Sequence, residues 1–338
     1  MINFLNDYND KGHEKVYEFL ARLPEEKMPG YGQDDYTISV KEKLKKEIGR
    51  DDIVLEFFTG GTIVNLVACT NNLRSYEAIV CARSGHVATH ECGSVEATGH
   101  KLVTIDTEDG KLNPELLERQ LKIAGPETDV IPKIVYISNT TETGLVYSIE
   151  EIKALHKVCK AYDCFLFVDG ARLAVALARE KFSLKELSES CDAFTIGGTK
   201  NGAIFGEILV LVADEFKIRL RNHMKQKGAI LAKGYILAAQ FDALFDQGLY
   251  YDLGKNAYET AMRLADGFSK LGFEFYYPPE SNQIFVKLND QQIEAVKNFA
   301  SFEIVSFGGY ETVPRFCTFY RTTSESVDEF LEKLKEIL

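Results

Sequence analysis

Phe165-Leu-Phe-Val-Asp-Gly-Ala-Arg172 and Phe194-Thr-Ile-Gly-Gly-Thr-Lys200 share one construction. Each is a run of apolar, strand-forming residues that stops at a charge. The first stops at Asp169 and Arg172, the second at Lys200. Ligands of open α/β sheets bind beyond the carboxyl ends of the strands. Three charges just past two such ends are therefore expected to meet in one crevice.

Similar runs surround these two. Ala78–Ala82, Lys101–Ile105, Lys133–Ser138, Phe165–Val168, Ala193–Ile196 and Ile208–Val212 are short and apolar, as buried parallel strands are. Between two of them, Ser148–Tyr162 reads as a helix. Ser148 and Glu151 form a capping box, and Ile149, Ile152, Leu155, Cys159 and Tyr162 share a face. The alternation predicts an α/β fold with a mostly parallel central sheet flanked by helices. After about Asp246 the pattern changes. A helix over Tyr258–Leu271 is expected, then strands at Phe273–Tyr277 and Gln283–Leu288, and a helix over Asp290–Ala300. Strands near Ile304 and at Phe316–Tyr320 follow, with a closing amphipathic helix through Val327, Phe330, Leu331, Leu334 and Ile337. We read a large domain over 1–245, N-terminal segment included, and a small α+β domain over 246–338. No internal repeat is visible.

Of 338 residues, 45% are hydrophobic and 27% charged, the profile of a globular chain. The net charge of −12 argues against nucleic acid or an anionic membrane as main partner. No stretch approaches the ~20 apolar residues of a membrane span, and Met1–Asp10 lacks the apolar core of a signal peptide. The cysteines number seven, an odd count without a CxxC pair. Reduced thiols in a cytoplasmic protein are expected.

A lysine, an aspartate and an arginine at strand ends match the way an enzyme would hold pyridoxal 5'-phosphate (PLP). Lys200 would supply the Schiff-base amine, and Asp169 would pair with the pyridinium nitrogen. Asp169 is also a good N-cap for a following helix, and the two readings are compatible. Thr59-Gly-Gly-Thr-Ile-Val-Asn65 follows the apolar run Ile53–Phe58. Glycines before a helix expose backbone N–H groups that can hold a phosphate, so Gly60, Gly61 and Thr62 are candidates, although plain turn chemistry has the same look. It is neither a Walker loop nor the GxGxxG of a dinucleotide-binding dehydrogenase. His86 and His90 are spaced for one helix face. A metal pair, a ring stacked on a flat cofactor and an ordinary hydrogen-bonded histidine stand as alternatives. With no HExxH and no third ligand in view, no metal is expected.

The ordered set Gly61-Thr62…Asn65, His86, Asp169-Gly-Ala-Arg172 and Thr199-Lys200 is specific. With Asn6-Asp7, Tyr31-Gly32-Gln33-Asp34-Asp35 and Pro314-Arg315 it spans nearly the whole chain. It resembles the L-threonine aldolase and β-eliminating lyase group of PLP enzymes, which have the aspartate aminotransferase fold. The resemblance implies a PLP-dependent carbon–carbon lyase that takes a small amino-acid substrate and releases glycine. It makes Lys200 the Schiff-base lysine, with Thr199 beside it, and Asp169 the partner of the ring nitrogen. His86 becomes the ring-stacking residue, and Gly60, Gly61 and Thr62 the phosphate cradle. Arg172 lies by the ring hydroxyl and the substrate carboxylate, and Arg315 clamps that carboxylate. The group's site lies at an interface in a homodimer or homotetramer, so Tyr31 and Lys233 are candidates for a neighbour's site. Two departures stand out. Glu142, in Asn139-Thr-Thr-Glu-Thr-Gly144, occupies the place of a histidine that many members carry, and Asn6 replaces a serine. Glu142 thereby becomes a candidate base, and Asn6 a candidate substrate contact. A β-eliminating lyase, an aminotransferase, and a non-catalytic interaction module are the alternatives.

Overall fold

The computed structural model describes residues 1–123, 127–307 and 311–337. Eleven strands occur among them. They are β1 Ile2–Phe4, β2 Val54–Phe58, β3 Glu77–Ala82, β4 Leu102–Ile105, β5 Ile131–Ser138 and β6 Phe165–Asp169. They continue with β7 Ala193–Gly197, β8 Glu207–Leu211, β9 Gln283–Phe285, β10 Ala300–Phe307 and β11 Glu311–Cys317. Seven form the central sheet in the order β2-β8-β7-β6-β5-β3-β4. All its pairings are parallel except those of β8, which runs antiparallel to both β2 and β7.

The strands carry continuous apolar runs because both faces of this sheet are buried. Val80, Val135, Val168, Ile196 and Val210 point into one core cluster. Their neighbours Ile79, Ile134, Phe167 and Leu209 point into a second on the other face. The helix over Ile149–Ala161 carries the expected Ser148/Glu151 capping box and buries Ile149, Ile152, Leu155 and Cys159.

The C-terminal segment builds a four-stranded sheet, β1-β10-β11-β9. Its first strand comes from the other end of the chain: Ile2, Asn3 and Phe4 pair in parallel with Ala300, Ser301 and Phe302. Ile2 and Phe4 lie in a third core cluster with Phe268, Phe316 and Phe330.

Several expected elements differ: the strand expected over Gln283–Leu288 is the shorter β9, and the helix expected over Asp290–Ala300 ends at Lys297. The helix expected from Tyr258 begins at Leu249 and runs to Lys270. Gly254 weakens the helical signal there, yet the fold needs it: a Cβ would sit 2.5 Å from the Ala174 Cβ, where this helix crosses Leu173–Glu180. Phe273–Tyr277 forms only an isolated bridge, Phe275 to Val286, since Pro278-Pro279 cuts the run short. The strand expected at Phe316–Tyr320 lies earlier, because pairing of Glu303 with Arg315 fixes the register of β11 on β10.

Candidate active site

The carboxyl ends of β2, β3, β5, β6 and β7 gather at one edge of the central sheet. A cavity of about 280 Å³ opens there. Gly60, Gly61, Thr62, His86, Glu142, Asp169, Arg172, Thr199 and Lys200 line it, with Tyr8, Asn65, Thr140 and Glu207 among the others.

The glycines of the two quoted segments bring their charges together. Gly197 N–H donates to the Gly170 carbonyl at 3.0 Å, so the chain leaving β7 lies directly on the chain leaving β6. A Cβ on Gly170 would lie 2.1 Å from the Thr195 carbonyl oxygen, and one on Gly197 2.3 Å from the Ala171 carbonyl oxygen. Backbone cannot yield at such distances. Gly197→Ala is therefore expected to destabilise the fold by about 1–3 kcal/mol, as overpacked core sites do, and to weaken PLP binding with it. Urea unfolding and a cofactor titration check both effects.

Asp169 is almost fully buried and accepts from four donors. Oδ2 takes the Tyr136 hydroxyl at 2.6 Å and the Asn65 amide at 2.7 Å. Oδ1 takes the Ala171 N–H at 3.0 Å and the Thr195 hydroxyl at 3.3 Å. The second N–H of Asn65 is given to Glu91 Oε1 at 2.8 Å, and the same oxygen bonds His86 Nδ1 at 2.8 Å. One amide thus bridges the carboxylates of Asp169 and Glu91, and Glu91 in turn orients the His86 ring. Burial opposes a charge on His86. The Glu91 bond and the Glu142 and Asp169 carboxylates outweigh it, so the pKa of His86 is raised. Asn65→Ala leaves two buried carboxylates without their shared donor. A loss of about 1–3 kcal/mol is expected in urea unfolding.

Arg172 is held on the far side. Its Nε and Nη2 donate to Asp7 Oδ2 and Oδ1 at 2.7 and 3.0 Å. Burial opposes ionisation of Asp7, but Arg172, Lys200 and the hydrogen bonds from Arg172 and Asn282 hold its pKa at about 2. Lys200 Nζ lies 6.0 Å from the centroid of the Tyr8 ring. Thr199 Oγ1 accepts the Gly206 N–H at 2.9 Å.

The remaining candidates lie outside the cavity lining. Arg315 is buried, with Nη1 on Gln283 Oε1 at 2.9 Å, Nη2 on Glu303, and Nε without a partner among the described residues. Asn6 is buried and accepts the Tyr8 N–H at 3.2 Å. Tyr31 is exposed under Lys225, 4.4 Å from its ring centroid, and Lys233 is exposed. His86 and His90 stack on each other with centroids 5.4 Å apart. Among the described residues no group of three or more His, Cys, Asp or Glu could hold a metal.

Tyr136, Glu91, Asp7 and Glu207 escaped the sequence reading as site residues. Tyr136 looks like one more strand residue. Glu91 follows His86 by five positions, the one local signal available. Asp7 acts from the N-terminal segment, 165 residues before Arg172.

The donor set fits PLP. Gly60 caps the helix Gly61–Thr70 without a side-chain hydrogen bond, leaving free N–H groups for a phosphate. A Cβ on Gly60 or Gly61 would meet nothing within 4 Å, so both face open space. Thr140 Oγ1, also in the lining, is buried without a partner among the described residues. Asp169 presents an accepting carboxylate, and Lys200 an amine.

The family model described as beta-eliminating lyase matches residues 3–291. A low specificity L-threonine aldolase of Pseudomonas aeruginosa is 30% identical over 343 residues, covering 97% of this chain and 92% of that protein. One from a Pseudomonas species is 29% identical, covering 91% and 90%. Among solved structures, a threonine aldolase of Leishmania major superposes with a TM-score of 0.95 at 37% identity, covering 99% of both chains. An aspartate aminotransferase variant of Thermus thermophilus, at 17% identity and a TM-score of 0.73, shares the fold over 100% of this chain and 96% of that one. On the breadth of these matches and the donor set around Lys200 and Asp169, the chain belongs to the beta-eliminating lyase family and is a PLP-dependent lyase.

Proposed function

We propose that this enzyme cleaves the Cα–Cβ bond of L-threonine, L-allo-threonine or a related β-hydroxy amino acid, giving glycine and an aldehyde. The observation that carries the reading is the convergence of Lys200, Asp169, His86 and the Gly60–Thr62 helix start on one cavity. The names of the relatives, low specificity L-threonine aldolases, support the substrate class.

Bound in the cavity, PLP supplies the sink for the electron pair released as Cα–Cβ breaks. Lys200, the lysine of the lining, would hold the cofactor through its amine. Asp169, oriented by Tyr136, Asn65, Ala171 and Thr195, would offer its carboxylate to the cofactor's ring nitrogen. His86, with Nδ1 held by Glu91, would pack against the cofactor. The N–H groups of Gly60, Gly61 and Thr62 take the phosphate, and Thr199 packs beside the lysine. Arg172 and Arg315 hold the substrate carboxylate, with Asn6 nearby. They would orient the substrate so that the Cα–Cβ bond to be broken is presented to the bound cofactor.

Glu142 takes the proton of the β-hydroxyl. Its place in the lining and its charge interaction with His86 support this role. As the O–H bond breaks, its electron pair forms the aldehyde C=O, the Cα–Cβ pair moves to Cα, and protonation there gives glycine. Tyr31 and Lys233 are assigned to a neighbouring subunit's site in a homodimer or homotetramer. Seven free cysteines support a reducing, cytoplasmic setting. No helix among the described residues is long and apolar enough to cross a membrane.

The test is product analysis with L-threonine, L-allo-threonine and phenylserine in the presence of PLP. Glycine and aldehyde in equal amounts support the reading. Pyruvate and ammonia, or amino transfer to a keto acid, would replace it by elimination or transamination. Glu142→Gln is expected to lower kcat by about 10²–10⁴-fold, the worth of a positioned base, with PLP still bound. An unchanged kcat removes Glu142 from the mechanism.

A further inference from the structure

β8 enters the site from the opposite direction to its neighbours. It is antiparallel to β2 and β7, with Glu207 opposite Phe58 on one side and Gly197 on the other. Its first residue therefore reaches the ligand edge, where the parallel strands present their last. Beyond Phe58 lies the Gly60–Thr62 helix start, and beyond Gly197 lies the Gly198–Lys200 turn. Glu207 stands between these two halves of the site. It lines the cavity, is 5% exposed, and its Oε2 accepts the Gly198 N–H at 3.0 Å.

Its two strand partners, Phe58 and Gly197, are uncharged. The titratable groups acting on it or sensing it are Lys200 and Asp169, which line the same cavity, and Tyr250 on the Leu249–Lys270 helix. An acceptor for the Gly198 N–H needs no charge, and a neutral amide would serve. A carboxyl buried at this point adds a proton-binding group beside the lysine.

We propose that Glu207 is a positioning residue for Lys200, anchoring the Gly198–Lys200 turn and placing a titratable negative charge behind the amine. The inference rests on the Lys200 assignment made above. Burial pushes the Glu207 carboxyl up to about 7, against the opposing pull of its bonds with Thr199 and the Gly198 N–H and of the Lys200 charge. The site gains a negative charge as pH rises through neutrality. The folded-state pKa lies above the unfolded one. The stability the neutral carboxyl contributes is therefore full at low pH and is lost as pH rises through about 7.

Glu207→Gln keeps the acceptor and removes the charge. Two measurements test it. In PLP-loaded protein, the absorbance of the bound cofactor is followed from about pH 5.5 to about pH 9. Wild type is expected to show an inflection near neutrality that Glu207→Gln lacks. In cofactor-free protein, Glu207→Gln is expected to gain several degrees in Tm over wild type at alkaline pH and little or nothing at acid pH. Glu207→Ala removes one of the two acceptors of the Gly198 N–H, leaving the Gly206 carbonyl at 3.1 Å, and is expected to bind PLP a few-fold more weakly. A wild type without the inflection overturns the proposal. So does an inflection that survives in Glu207→Gln, or a Tm difference that is the same at both pH extremes. If wild type shows no bound-cofactor band at all, the Lys200 assignment fails. If the band is present and lost in Lys200→Ala while the Glu207→Gln curve is unchanged, only the Glu207 role falls.

Discussion

Lys200→Ala is expected to abolish the bound-cofactor absorbance and to lower kcat/KM by about three orders of magnitude or more, the scale seen when a covalent catalyst loses its nucleophile. Among the described residues, Lys200 is the one lysine in the lining of the cavity. Its position follows from the Gly170–Gly197 contact and from the Thr199–Gly206 bond, both made by groups other than its side chain. Removal of the amine should therefore leave the fold intact. An unfolding curve within about 0.5 kcal/mol of wild type, the usual range for a change without packing loss, is the control. Absorbance that persists in the variant would show that another group holds the cofactor.

Asp7→Ala is expected to cost about 3–5 kcal/mol of stability, because it strands a buried guanidinium. Arg172 is buried, and Asp7 receives two of its donors. Asn282 Nδ2 also loses its 2.9 Å bond to Asp7. The pair is itself pH-sensitive in a known sense. The Asp7 pKa is depressed to about 2, so its stabilisation is present above the ordinary carboxylate range and is lost as pH falls through about 2. Urea titrations at neutral pH measure the first effect, and an acid melt of wild type against Asp7→Asn measures the second. Substrate binding should suffer as well, since an Arg172 released from Asp7 no longer has a fixed direction. A variant as stable as wild type would mean that Arg172 finds another anion or reaches water.

The outcome for this chain separates what local chemistry can encode from what it cannot. The runs ending at Asp169 and Lys200, the capping box at Ser148 and the Gly60–Gly61 helix start were legible in the sequence. Each is a short-range matter: strand propensity, cap chemistry, a charge where an apolar run stops. Covered on both faces, the parallel strands of the central sheet show as unbroken apolar runs, and this made the fold class readable.

The site's supporting residues were not legible in this way. Asp7 meets Arg172 across 165 residues, and Ile2–Phe4 finds its partner in β10. Neither pairing leaves a periodic trace, because each depends on where two distant segments end up in space. Tyr136 and Glu91 serve Asp169 and His86 only through the side to which a strand or a turn points them. Glu207 is the clearest case. A rule that looks for chemistry at the carboxyl ends of parallel strands passes over it, because only the assembled sheet reveals that β8 runs the other way. By itself, then, the sequence determined the fold class, most of the strands of the central sheet and the charges placed where they end. The tertiary structure alone decided which buried partners hold those charges, since pairing of buried ions is a long-range property that neither propensity nor spacing records.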